Sequence, residues 1–160
     1  MVVNALSQKM IEYNKVKVAE NDKYIDDLLM LSKAWADENS CPAYYENEAS
    51  EFIEHEVYIA TDDDRIVAYA LGSIRVLEEK TSYNDVGEKA FELDEIYVAA
   101  DYRNRGIGKA LYEFIENDVR DRVDVIGVIA TSYEYKRLLK FYIEELDMRF
   151  NHALLVKRAD

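Results

Sequence analysis

Apolar residues recur most regularly between positions 107 and 119. Ile107, Ala110, Leu111, Phe114, Ile115 and Val119 fall on one face of a helix. A second helix is expected over residues 22–35, where Tyr24, Ile25, Leu28, Leu29 and Leu31 keep close to the same period. A third follows from Tyr135, Leu138, Leu139, Tyr142 and Leu146, and a short one is expected over residues 50–55. Apolar runs at 57–60 and 66–76 flank the polar stretch Thr61-Asp62-Asp63-Asp64-Arg65, a hairpin pattern. Residues 91–98 and 124–130 predict two more strands, and residues 16–19 and 153–157 predict a further strand each. Residues 38–49 hold Asn39, Ser40 and Pro42, and residues 77–89 hold Gly87, so both read as loops. A hairpin early and β-α-β units late predict an α/β chain: a mixed, twisted sheet with helices on both faces.

Composition narrows the classes. The 160 residues suit one domain, 1–160, and no repeat, low-complexity tract or Gly/Ser/Pro linker divides them. With 49% hydrophobic residues the chain can build a sizeable core. No apolar run approaches the roughly 18 residues of a membrane span, and the first ten residues do not read as a secretory leader. Cys41 is the one cysteine, and only His55 and His152 could join it, so neither a disulfide framework nor a metal site is expected. A reducing, cytoplasmic setting is expected on the same ground. The net charge of −13 argues against nucleic acid or an anionic membrane as partner. It suits a cationic partner, or simply solubility.

Against that acidity, Arg103-Asn104-Arg105-Gly106-Ile107-Gly108-Lys109 stands out, with three cations and no acid, between an expected strand and the strongest helix. Free N–H groups and the helix dipole at such an N-terminus favour an anion. Gly106 and Gly108 let a phosphate approach the backbone. The spacing matches neither the dinucleotide fingerprint nor a P-loop.

This stretch, with Leu93-Asp94-Glu95-Ile96-Tyr97-Val98 before it and Leu138-Leu139-Lys140-Phe141-Tyr142 and Leu146-Asp147-Met148-Arg149-Phe150 after it, resembles the GNAT superfamily of N-acetyltransferases. Arg103, Gly106 and Gly108 match that family's Gln/Arg-x-x-Gly-x-Gly/Ala motif. The resemblance implies a GNAT-like twisted mixed sheet and acetyl-CoA as cosubstrate, with no metal. It implies that Asn104, Arg105, Gly106, Ile107, Gly108 and Lys109, with Arg103, hold the pyrophosphate, and that Ile96, Tyr97 and Val98 pair with the pantetheine arm. Three positions depart from the family pattern: Ala100 where proline is frequent, Asp147 where glycine is, and Tyr135 where asparagine is. Dimers are frequent in the family, which leaves a homodimer open.

Acetyl transfer to an amine needs a base to remove a proton and profits from an acid beside the leaving sulfur. Glu92 and Asp94 are the base candidates: in a regular strand they share a face, and each matches a position that is acidic in some members of the family. A bulge in the strand would change that facing. Tyr142 matches the family's general-acid tyrosine.

Between Lys33 and Arg65 there is no lysine or arginine, and the expected loop carries Trp35, Tyr44, Tyr45, Glu46 and Glu48. Aromatic faces beside carboxylates suit a cation. The expected acceptor is thus the primary amine of a cationic small molecule or peptide. The rival expectation is an acyl-CoA-binding sensor or assembly module without turnover; a nucleotide-phosphate-binding domain suits the glycine turn alone. Gly108→Glu should abolish acetyl-CoA binding in a calorimetric titration; normal binding by that variant would contradict the phosphate-turn assignment.

Overall fold

The structure is a computed structural model and describes residues 10–159. Its strands are β1 (Glu12–Val16), β2 (Glu56–Asp62), β3 (Arg65–Val76), β4 (Lys89–Val98) and β5 (Val125–Val128). Its helices are α1 (Ile25–Glu38), α2 (Ala49–Glu54), α3 (Ile107–Val119) and α4 (Tyr135–Lys140), which runs on into a widened, π-type turn at Phe141–Glu145. The sheet order is β1-β2-β3-β4-β5. Strands β1 to β4 pair antiparallel, and β5 joins β4 in parallel. This is the mixed sheet that the element order predicts.

Each face of the sheet has its own core. Tyr58, Ala68, Ala70, Phe91 and Leu93 pack against Ile107, Leu111, Ile115 and Val119 of α3 and against Tyr142. Val57, Ile59, Tyr69, Leu71 and Tyr97 pack against Leu28 and Leu31 of α1 and Phe52 of α2. Of the expected stripe of α3, Ile107, Leu111, Ile115 and Val119 are buried, each large aliphatic side chain contributing about 1.5–3 kcal/mol, while Ala110 and Phe114 are partly buried and Tyr112 is buried beside them.

Several boundaries differ from expectation. The first strand lies at Glu12–Val16 rather than 16–19, because its ladder runs from Glu12 opposite Thr61 to Val16 opposite Val57. Helix α1 begins later, since Asp22 forms a turn in which its side chain accepts from the Tyr24 N–H (3.2 Å). It ends later too, at a left-handed Asn39 (φ 49°) whose N–H bonds Ala36. Strand β5 is shorter than 124–130. The strand expected over 153–157 is absent: Leu154, Leu155 and Val156 are 86–90% exposed. β-Propensity alone does not make a strand when no neighbour supplies the ladder.

The feature that shapes the molecule is a bulge in β4. Leu71 pairs with Glu95 and Gly72 with Leu93, so Asp94 is an extra residue between them. Before it, Phe91 and Leu93 face α3; after it, Ile96 and Val98 do. Gly72 permits the close approach. A Cβ there would lie 2.2 Å from Phe91 Cζ and 2.7 Å from the Glu92 carbonyl oxygen. Gly72→Ala should cost at least about 1–3 kcal/mol in urea denaturation, whereas Gly127→Ala, which meets nothing within 4 Å, should stay within about 0.5 kcal/mol. Equal stability of the two variants would contradict the packing argument.

Candidate active site

Strands β4 and β5 pair only from Ala90–Val125 to Leu93–Val128. Beyond that point they part around a cleft of about 220 Å³. One wall is Leu93, Asp94, Glu95 and Ile96; the other is Val128 to Thr131. Trp35 and the segment Cys41 to Tyr44 cover one end, and Leu138 and Tyr142 close the opposite side. The covering loop is tied to the far wall, with Tyr133 N–H and Ser132 Oγ both donating to Ser40 O (3.0 and 3.3 Å).

The bulge decides which carboxylates reach this cleft. Asp94 and Glu95 line it; Glu92, expected beside Asp94, does not. Glu92 ion-pairs with Arg75 in a separate hollow of about 440 Å³ at the far end of β3 and β4. Asp94 is half exposed, with His55 Nε2 3.7 Å away. Burial holds its carboxyl above the usual range, against the pull of His55 and Arg75. Glu95 is more deeply set. Its Oε2 accepts from Asn47 Nδ2 (2.9 Å) and Tyr69 OH (2.8 Å). Burial, reinforced by Glu51 and Asp94, raises its pKa despite those two donors.

Trp35 stacks on Tyr44 (centroids 4.1 Å) and on Tyr97 (5.4 Å), giving the cleft an aromatic end. Of the residues expected to bind the acceptor, Trp35 and Tyr44 line the cleft. Tyr45, Glu46 and Glu48 do not: Tyr45 is 80% exposed, and Glu46 lies 3.9 Å from Lys33.

The glycine turn opens α3 as expected. Asn104 and Gly106 are left-handed (φ 60° and 77°), and the first-turn N–H groups of Ile107, Gly108 and Lys109 have no partner within the helix. At Gly108 a Cβ would meet Val98 and Phe141 at 3.5 and 3.7 Å, ordinary contact distances. Arg103 is engaged elsewhere. Its Nε donates to Val98 O (2.9 Å), its Nη2 pairs with Glu38 (2.6 Å), and it lies over the Tyr97 ring. Arg105, over Tyr102, and Lys109, 3.9 Å from Glu113, stay at the turn. Arg137 of α4 adds a cation there by donating to Asn104 Oδ1 (3.2 Å).

Ile96 lines the cleft, while Tyr97 turns the other way and donates to Glu38 (2.6 Å). Tyr142 sits in the widened turn, 5% exposed, and is among the residues that line the cleft. Burial and the neighbouring Tyr112 push its phenol well above the ordinary value, so it stays protonated at neutral pH. Asp147 adopts the left-handed conformation (φ 54°) that a family glycine would supply.

The sequence pattern did not single out Glu95, which lines the cleft, or Asn47 and Tyr69, which hold its carboxylate from behind. A signal for Glu95 was present: apolar residues sit at 91 and 93, then at 96 and 98, and this change of parity places a bulge between them.

A model of the acetyltransferase (GNAT) family matches residues 23–148. No curated protein sequence matches the chain. Solved structures share its fold. The aminoglycoside acetyltransferase meta-AAC0020 from an uncultured soil metagenomic sample, solved with trehalose, aligns at TM-score 0.66 and 16% identity, covering 94% of this chain and 97% of its own. The aminoglycoside N-acetyltransferase AAC(6')-Iy, solved with the bisubstrate analog CoA-S-monomethyl-acetylneamine, aligns at 0.68 and 15%, covering 94% and 99%. A ribosomal-protein-alanine N-acetyltransferase from Brucella melitensis biovar Abortus 2308 aligns at 0.63 and 18%, covering 92% and 98%.

Proposed function

The chain belongs to the GNAT acetyltransferase family and is an acetyl-CoA-dependent N-acetyltransferase, and from that premise we propose direct acetyl transfer to the primary amine of a cationic small molecule or peptide. The observation that carries this reading is the cleft where β4 and β5 part. A free strand edge, two carboxylates and a protonated phenol converge there beside the open end of α3.

The residues present fit the cosubstrate. The N–H groups of residues 107–109, with Arg105, Lys109 and Arg137 nearby, suit a pyrophosphate. The edge of β4 beyond Leu93, with no strand beside it among the described residues, suits an extended amide-bearing arm. Arg103 serves this arrangement indirectly, by anchoring the end of β4 to α1 through Val98 and Glu38. Bound acetyl-CoA supplies an activated acyl carbon and a thiolate leaving group.

In this reading Glu95 is the base. It is the more buried of the two cleft carboxylates, and its raised pKa brings proton affinity closer to neutrality, where a base is most effective. It must be ionised to act, so kcat/KM should fall on the acid side at a pH above that of an ordinary glutamate. Asp94 attracts the ammonium group, and the Trp35–Tyr44 stack faces its cation. Tyr142 donates a proton to the departing sulfur. The aminoglycoside acetyltransferase meta-AAC0020 is also solved with sisomicin, and AAC(6')-Iy with its acetylneamine analog, which supports a polycationic small amine as first choice. With its single cysteine, a cytoplasmic setting belongs to the same proposal.

The test is thiol release from acetyl-CoA over a panel of polyamines, aminoglycosides and basic N-terminal peptides. Turnover with cationic amines and none with neutral ones supports the reading; the reverse preference sinks it. Tyr142→Phe should lower kcat by about 10²-fold with acetyl-CoA affinity little changed. Unchanged turnover would return Tyr142 to a packing role.

A further inference from the structure

Behind Glu95 the polar groups close into a ring. The Asn47 backbone N–H donates to Ser32 Oγ (2.8 Å). Ser32 Oγ and Tyr44 OH are 2.8 Å apart, and Tyr44 OH and Tyr69 OH 3.2 Å. Tyr69 OH donates to Glu95 Oε2 (2.8 Å), and the Asn47 side chain donates to the same oxygen (2.9 Å). Both arms leave Asn47 and meet on one atom. The Asn47 N–H can only donate and an ionised carboxylate can only accept. The hydroxyl protons therefore have one consistent order: Ser32 to Tyr44, Tyr44 to Tyr69, Tyr69 to Glu95. Every hydroxyl accepts one bond and gives the next, so each is polarised toward Glu95.

The members come from separate elements. Ser32 is on α1, Tyr44 and Asn47 are on the loop over the cleft, Tyr69 is on β3 and Glu95 follows the bulge in β4. Ser32 and Tyr69 are fully buried. Two features argue that the ring serves chemistry as well as packing. A core needing only apolar fill has no use for three hydroxyls and an amide aimed at one carboxylate. The ring also occupies Oε2 alone, while Oε1 has no hydrogen bond from any described residue, and Glu95 is among the residues that line the cleft.

We propose that Ser32, Tyr44, Asn47 and Tyr69 are positioning residues that hold Glu95 ionised, with Oε2 pinned and Oε1 presented to the acceptor amine. This rests on the reading of Glu95 as the base. The groups that face Glu95 make such support necessary. Glu51 of α2 and Asp94 of β4 repel its charge, and Tyr44, Tyr69 and the Cys41 thiol bring no formal positive charge. His55 lies against Asp94 instead. Without the two donors, burial and like charge would raise the Glu95 pKa further and leave less of the carboxylate ionised to take a proton.

The experiment is a pH titration of the Glu95 carboxyl carbon by ¹³C NMR in the full chain, without acetyl-CoA or acceptor. The signal is assigned with Glu95→Gln, and folding is checked from the amide spectrum. Tyr69→Phe and Asn47→Leu each remove one donor from Oε2, so each should move the midpoint up by about one pH unit or more. Tyr44→Phe breaks the ring one step away and should move it less, in the same direction. If Tyr69→Phe does not fold, Asn47→Leu and Tyr44→Phe decide the matter. An unchanged midpoint in the folded variants overturns the proposal and leaves Glu95 free to be the base. Full turnover by Glu95→Gln would instead sink the reading of Glu95 as base, so the two failures are distinguishable.

Discussion

The bulge at Asp94 is the constraint on which the site depends. One residue too many in β4, admitted because Gly72 carries no side chain, reverses which face each later residue addresses. Phe91 and Leu93 complete the core under α3; past the bulge Ile96 and Val98 take over that duty, and Glu95 is turned toward α1 and the loop. The parallel ladder with β5 stops at the same point. A regular β4 would have continued the pairing and left no cleft. The irregularity thus opens the space and sets a carboxylate into its wall in one step.

Around that opening the polar side chains are organised to keep the parts in place. Tyr97 and Arg103 both reach Glu38 at the end of α1, and Arg103 also holds the Val98 carbonyl. The end of β4, the start of the glycine turn and α1 are thereby joined. On the other flank, Ser40 accepts from residues 132 and 133, so the loop that bears Tyr44 and Asn47 is fastened to the segment before α4. Each hydrogen bond is modest alone. Together they fix the orientation of groups that must act over a few ångströms, as the transfer of a proton and an acyl group demands.

Much of this was legible in the residues. The stripe on α3, the hairpin at 57–76 and the cationic glycine turn follow from local period and local chemistry, and each lies where that pattern places it. Tyr142, which a motif marked, is among the residues that line the cleft. What escaped was non-local. The role of Arg103 depends on Glu38, 65 residues away, and no local pattern shows that a motif arginine is already taken. Glu92 and Asp94 share a face only in a straight strand, and the shift of apolar parity from 91 and 93 to 96 and 98 was the evidence against one. The segment 153–157 has the composition of a strand without a ladder to join. Local sequence sets a preference, and the neighbour decides whether it is used.

The central claim is that the bulge makes Glu95, and not Glu92, the carboxylate that takes the proton from the amine. The most direct measurement compares Glu95→Gln and Glu92→Gln in acetyl transfer to the best amine of the panel, with acetyl-CoA affinity measured in parallel. Glu95→Gln should lower kcat/KM by about 10²–10⁴-fold with cosubstrate binding retained, and Glu92→Gln should leave turnover near that of the parent chain. Loss of turnover in Glu92→Gln with Glu95→Gln unaffected would contradict the account.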